Sequence, residues 1–279
     1  MPPKHPDVIG NDPRPLFFPV ANAQEVGLAP PTDRRGMSLR TWVRSLAGMQ
    51  KEALVINGAT GRAWRLTSDE GPYLAGHDVS PCPLSFLTTG MVSSYMNEIR
   101  ALAKMRQVEI RDIELTLDNH YSMEGSALQG TMVGGALPPV LEVRLDSDAE
   151  PAKVTALVSQ AIDASPINGL LRGQHTSLFT LTCNGQQIEV GRVAGLAADA
   201  ESDPGDLFPA LAVGESPTAD ATVRKMTQGD RVKGVKHGVN SSLQANQSRT
   251  LHVRGRCTVR PDGVKLIEQS LFKPLGSTF

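Results

Sequence analysis

A single long helix constrains this chain more than any other feature. From Pro83 to about Met105, the residues Leu84, Leu87, Met91, Tyr95, Leu102 and Met105 recur at steps of three, four or seven. That spacing gathers them near one face of a helix, and so apolar a face has to be buried. Pro83 suits the first turn, because its missing N–H would be unpaired there anyway. On either side the pattern turns to strands. Lys51–Ile56 and Ala63–Thr67 read as a pair joined by the turn Asn57-Gly58-Ala59-Thr60-Gly61. Val108–Leu117 alternates apolar and charged residues, and its phase shift at Arg111-Asp112 suggests a bulge. Ala127–Val133 and Val140–Leu145 continue the β pattern, separated by Gly134-Gly135 and Pro138-Pro139.

Asp148 reads as the N-cap of a second helix over Glu150–Ala164, with Pro151 in its first turn and Pro166 ending it. Leu178–Cys183 and Gln187–Val190 form a hairpin around Asn184-Gly185, a strong turn dipeptide. The order β-β-long α-β-β-β-α-β-β belongs to an α+β fold and not to the strict alternation of a parallel α/β sheet.

The flanks differ from this middle. Residues 1–36, rich in Pro, Asn and Asp, read as an extended arm lying on the folded body or on a partner. Residues 194–218, with Asp199, Glu201, Asp203 and Asp206 close together, read as an acidic linker or long surface loop. Residues 219–279 form a basic β-rich extension with eleven Lys and Arg against four Asp and Glu, so the net charge of −1 for the whole chain hides an asymmetry. Its strands are expected at Thr222–Met226, Leu251–Val259 and Val264–Leu271, with a turn at Pro261-Asp262-Gly263. The pattern is similar to the early hairpin Lys51–Thr67 and suggests an extension of that same sheet. The basic face has few aromatics for base stacking and no known nucleic-acid module, so a solvated face, or one docked on Asp199–Asp206, is favoured over nucleic acid.

Aromatics make up 4% of the chain, so its core must rest on aliphatic side chains. No run of about 18 apolar residues exists, which argues against a membrane helix, and the N-terminus lacks an apolar signal core. A cytoplasmic protein is expected. Cys82, Cys183 and Cys257 are odd in number and widely spread, which suits neither a disulfide framework nor a zinc site. No metal or cofactor is expected.

Two motifs carry a resemblance. The first is Ser80-Pro-Cys-Pro-Leu-Ser-Phe-Leu-Thr-Thr-Gly-Met-Val-Ser-Ser94 at the head of the long helix. It resembles the P-x-P-x-E-L-L loop of the OsmC/Ohr family of thiol peroxidases, in which a reactive cysteine follows the glutamate by nine residues. Pro81, Pro83, Phe86 and Leu87 match, but Ser85 stands at the glutamate position and Ser94 at the cysteine position. The second is Ser165-Pro166-Ile-Asn168-Gly-Leu170, similar to the family's C-P-[VI]-x-x-x-L, with Ser165 in place of the resolving cysteine. The resemblance covers roughly residues 50–193, about half the chain, within a domain expected over 37–193, and leaves out the arm and the extension. It implies an intertwined homodimer with sheets packed around two helices, and two interfacial sites where both thiols, a Glu and a strand-borne Arg meet. Arg62 or Arg65 would be that arginine.

The family's reaction needs a thiolate that attacks peroxide, becomes a sulfenic acid and condenses with a second thiol. Serine has no such acidity and no oxidation ladder, so thiol peroxidase activity is not expected. Three functions stay open: binding of a small apolar organic molecule in a dimer-interface pocket, another reaction such as hydrolysis, or an interaction module using the basic extension. Pocket candidates are Arg62, Arg65, His77, Cys82, Ser85, Ser94, Ser165 and His175. A hydrolase would use Ser94 or Ser85 with His77 or His175 as base. Cys82 heads the helix, where backbone N–H groups favour a thiolate, although a small apolar loop residue is the plainer reading. Cys183 and Cys257 read as sheet packing, His120 and Tyr121 as strand-end surface residues, and Asn168 as a cap for the turn after Pro166.

Overall fold

Two antiparallel four-stranded sheets are each covered on one face, one by a long helix and the other by two segments far apart in the sequence. The computed structural model describes residues 5–32, 38–126, 129–173, 175–191, 193–199, 205–215, 249–259 and 265–272. The strand expected at Thr222–Met226 and the turn Pro261-Asp262-Gly263 lie outside the described residues.

The first sheet has the order β1-β4-β3-β2, from β1 (Phe18–Pro19), β2 (Leu39–Ser45), β3 (Lys51–Asn57) and β4 (Ala63–Ser68). Its β3–β4 hairpin follows the expected pattern. The turn closes because Asn57 Oδ1 accepts Ala59 N at 2.8 Å and Thr60 N at 3.1 Å, while Gly61 adopts φ +67°. One face buries Leu54, Ile56 and Ala63 against Phe18, Val20, Phe208 and Leu211. The N-terminal arm and part of the stretch read as an acidic linker therefore both contribute to this core. The arm begins with the short helix α1 (Val8–Asn11), which Gln50 holds by accepting Val8 N and Ile9 N on Oε1.

Arg65, on β4, lies fully inside this module. It is 1% exposed and pairs with Glu52 on β3, itself 2% exposed. Its Nη2 also reaches Asp12 at 3.0 Å, and its Nη1 donates to Pro15 O at 2.9 Å. The other Glu52 oxygen takes Arg44 Nη2 at 2.9 Å, and Arg14 pairs with Asp12 at 2.9 Å. Burial works to raise the Asp12 pKa, but the hydrogen bonds from Arg14 and the charges of Arg14 and Arg65 outweigh it and hold the carboxyl below its usual range. A depressed carboxylate stabilises the fold above its unfolded pKa and loses that contribution as pH falls through the folded value, so this latch loosens only in acid.

The second sheet has the order β12-β11-β5-β6, from β5 (Asp112–Glu124), β6 (Val133–Asp146), β11 (Arg249–Val259) and β12 (Lys265–Phe272). Helix α2 (Pro83–Met105) lies across it. Val92, Met96 and Ile99 of α2 pack on Ile113, Leu115 and Leu117 of β5 and on Cys257 of β11. Each such fully buried aliphatic side chain contributes about 1.5–3 kcal/mol. The other side of α2 meets α3 (Pro151–Ala164) and α4 (Pro166–Arg172), with Leu157 and Ala161 of α3 in the same core.

Several expectations are corrected here. The register shift in β5 falls between Asp118 and His120, not at Arg111-Asp112. Arg111 precedes the strand, its N bonding Asp146 O and its guanidinium pairing with Asp146 and Asp148. Asp148 is thus an ion-pair partner; Glu150 is the N-cap of α3, with no side-chain cap bond. Of the strand expected at Ala127–Val133, residues 129–132 are turn and loop, and the strand expected at Val140–Leu145 belongs to the longer β6, which starts at Val133. It runs along the edge of the sheet, where the missing proline N–H groups cost no ladder bond. His120 and Tyr121 lie inside β5, which runs on to Glu124.

The extension joins the sheet of β5 and not that of the early hairpin. Strand β11 pairs antiparallel with β5, and Gly255 lets it cross α2, since a Cβ there would meet Thr88 Cγ2 at 3.0 Å. Two of its basic charges are balanced on β5: Arg254 takes both oxygens of Asp118 at 2.8 and 2.9 Å, and Arg256 meets Glu114 at 2.5 Å. Beyond α4 come the short strands β7 (Leu178–Phe179), β8 (Leu181–Cys183), β9 (Gln186–Ile188) and β10 (Ala194–Gly195). The β8–β9 turn has Asn184 at φ +51° and Gly185 at φ +77°, the positive values that a two-residue hairpin requires.

Removing one partner of a buried ion pair leaves an uncompensated charge. Glu52→Ala is therefore expected to lower unfolding stability by about 3 kcal/mol, read as a shifted midpoint in urea titration.

Candidate functional site

Ser85 and Ser94 stand nine residues apart on α2. At 3.6 residues per turn that is about two and a half turns, so the two side chains leave the helix on opposite sides. Ser85, 3% exposed, faces the sheet; Ser94 faces α4.

On the α4 side, Ser94 Oγ lies 2.8 Å from Ser165 Oγ. Pro166 explains how Ser165 gets there. It ends the α3 ladder and starts α4, and Ser165 sits between the two helices as N-cap of the second, accepting Asn168 N on its hydroxyl. Ser165 is therefore the cap, while Asn168 Nδ2 instead donates to Ile162 O at 3.0 Å. Ser165 is 1% exposed. Nearby, burial raises the Tyr95 pKa, and the charge of Arg172 only partly opposes it. The two motifs, 71 residues apart in sequence, thus meet at a single hydroxyl–hydroxyl hydrogen bond.

On the sheet side, Cys82 Sγ lies 3.2 Å from Ser85 Oγ, and both are buried. Asn119 of β5 donates to Thr88 Oγ1 at 2.9 Å and to Met91 Sδ at 3.3 Å, and Thr88 Oγ1 bonds back to Leu84 O. The Tyr121 hydroxyl is pushed up by burial, against the lowering effect of its hydrogen bonds to Thr88 and Asn119. This polar group under the helix was missed in the sequence. The signal was available: the alternation Ile113, Leu115, Leu117 continues in phase to Asn119 and Tyr121. Cys82 lies twelve residues from Ser94, about 18 Å along the helix axis, so its thiol does not substitute at the Ser94–Ser165 pair.

The other candidates are scattered. Arg65 belongs to the Glu52–Asp12 network. Arg62 is exposed at the rim of a separate cavity of about 720 Å³ beside Trp64. His77 turns its Nε2 to His5 O at 2.8 Å, and its N donates to the buried Asp69. His175 is exposed beside Gly173. Among the described residues, no hydrogen bond joins Ser85, Ser94 or Ser165 to an imidazole. Cys257 lies in the core as expected, whereas Cys183 is exposed on β8. Among the described residues no group of three His, Cys, Asp or Glu could hold a metal ion, and no helix is long and apolar enough to cross a membrane.

No protein-family model and no curated protein matches the chain. Solved structures do. An OsmC-like hydroperoxide resistance protein from Jannaschia sp. is 20% identical over 56% of this chain and 100% of its own, with a TM-score of 0.36. An organic hydroperoxide resistance protein, OsmC, from Legionella pneumophila is 17% identical over 48% of this chain and 90% of its own, with a TM-score of 0.36. An OsmC-like protein of unknown function from Vibrio cholerae is 11% identical over 50% of this chain and 94% of its own, with a TM-score of 0.34. At TM-scores below 0.5 these likenesses carry no argument about this chain.

With the two hydroxyls in direct contact, sulfur at both positions is expected to cross-link. The S94C/S165C variant is expected to form an internal disulfide under mild oxidation, since side-chain atoms 2.8 Å apart need only a small adjustment to reach the S–S length of about 2.05 Å. Intact-mass measurement with and without reductant reads the outcome.

Proposed function

We propose that residues 37–193 form an OsmC-like scaffold that works as an intertwined homodimer and binds a small apolar organic molecule at the dimer interface, without thiol peroxidase chemistry. The Ser94–Ser165 contact carries this reading. Two motifs similar to the family's cysteine motifs converge in direct side-chain contact at 2.8 Å, yet both side chains are alcohols. Without a thiolate there is no sulfenic acid, and without a second thiol nothing resolves one. Ser94, half-buried and held by the buried Ser165 beneath it, keeps hydrogen-bonding capacity to orient a ligand's polar group. Arg65 and Ser85 do not complete a family-like charge site, because Arg65 is held in the Glu52–Asp12 network and Ser85 faces the sheet. A serine hydrolase draws no support from His77 or His175. Arg254 and Arg256 of the basic extension are paired with Asp118 and Glu114 on β5, which favours the scaffold reading over an interaction module built on these two charges.

The homodimer is supported by apolar surface that a lone chain would leave in water. Val133 is 68% exposed and Val140 60% on β6, and Leu170 is 57% and Phe179 45% beyond Ser165. On the first sheet, Leu39 is 58% and Val43 63% exposed. Burying such side chains against a second copy would remove them from water. A cytoplasmic location and a role in stress response are part of the same proposal.

Peroxide consumption with a dithiol reductant is expected to stay at the uncatalysed rate; turnover in the native chain that disappears with Cys82→Ala would sink the reading. Sedimentation velocity is expected to give a dimer for the native chain and a monomer for Leu170→Glu/Leu171→Glu, whereas a monomeric native chain would remove the interfacial pocket.

A further inference from the structure

Residues 205–215 lie on the first sheet as a bound peptide would. Only Phe208 and Leu211 are buried, to 5% and 6%, while Asp206, Pro209, Ala210, Ala212 and Val213 face solvent. The two anchors enter the apolar face made by Phe18, Val20, Leu54 and Ile56. Polar groups read what surrounds them. The Arg44 guanidinium lies 4.4 Å from the centre of the Phe208 ring and reaches Asp206 Oδ1 at 2.6 Å. Arg14 Nη1 donates to Phe208 O at 2.9 Å. Asn22 uses both ends of its amide, donating to Ala210 O at 2.9 Å and accepting Ala212 N at 2.8 Å. The main chain then adds to the sheet edge beside β1. Val213 bridges Val20, Ala21 N donates to Ala212 O at 3.0 Å, and Gly214 N donates to Pro19 O at 2.7 Å. Where this pairing ends, the 720 Å³ cavity opens, lined by Pro19, Asn22, Glu25, Arg62, Trp64 and Glu215 among others.

We propose that this groove is a docking surface for an extended peptide bearing an acid, an aromatic residue two positions on and an aliphatic residue three further, and that Asp206–Val213 occupies it in cis. Strand addition supplies general affinity through the main chain, and side-chain pockets supply selectivity. In a site of this form most of the binding energy rests on a few buried anchors, here Phe208 and Leu211. A tethered occupant acts at an effective concentration in the millimolar range, so it excludes free competitors until its anchors are weakened. The open cavity gives a competing segment a place to start pairing beside Gly214 while Phe208 is still seated.

A fluorescein-labelled peptide with the sequence of residues 205–215 is titrated by anisotropy into the full chain and into the full-length F208A/L211A variant. The variant is expected to bind about ten-fold more tightly than the native chain, because the cis competitor is weakened. Binding is expected to vanish when the peptide carries Phe208→Ala, and to weaken several-fold when Arg44→Gln is added to the variant. A folded variant that binds no better than the native chain, or that binds a scrambled peptide equally well, overturns the proposal. If the variant does not fold, hydrogen exchange on the native chain decides. The Ala212 and Gly214 amides are expected to exchange about ten-fold faster than that of Val55 in β3, as a detachable segment opens without global unfolding. Equal protection at these positions overturns the proposal as well.

Discussion

The structure depends on burying α2 along two faces at once. Twenty-three residues of helix start at Pro83, and neither flank of that helix is polar enough to stand in water. The sheet takes one flank through Ile113, Leu115, Leu117 and Cys257, and α3 takes the other through Leu157 and Ala161. Everything at the candidate site follows from this double cover. Because a helix turns once in 3.6 residues, side chains nine apart serve different compartments. Ser94 can therefore meet Ser165 while Ser85 turns towards Cys82.

The first sheet solves its own version of the problem with charge. Arg65 and Glu52 occupy positions that the strand alternation directs inwards, where an unpaired ion would be prohibitive. Asp12, Arg14, Arg44 and the carbonyl of Pro15 complete them, and these partners come from the arm and from β2. Asp206 then pairs with Arg44 on the rim. The same arginine thus supports the buried pair and the segment above it, which couples the seating of residues 205–215 to the network beneath.

At the site, chemistry and geometry point in different directions. The approach of Ser94 to Ser165 is what a pair of condensing thiols would require, but a hydrogen bond between hydroxyls contributes only about 0.5–1.5 kcal/mol and offers no redox step. What remains is a small polar spot between helices. Cys82 does not change this, because it faces the sheet beside Ser85 and lies a long way down the helix from the pair.

The sequence by itself determined the helix from Pro83 to Met105, the β3–β4 hairpin and the α+β order, because periodicity, proline placement and turn dipeptides act over a few neighbouring residues. It also determined that the two motif positions hold oxygen and not sulfur, which is a matter of composition alone. Only the tertiary structure decided where distant segments settle. The arm and residues 205–215 are short in local pattern, so nothing nearby announces that Phe208 and Leu211 belong under Arg44 and Asn22. The same holds for the extension: its alternation specifies a strand but not the neighbour, and β5 won through Gly255 and the pairing of Arg254 with Asp118. The closing of Ser94 on Ser165 belongs to both levels. Helical phase and the Pro166 break are written locally, while the contact exists only because α3 and α4 pack across the outer face of α2.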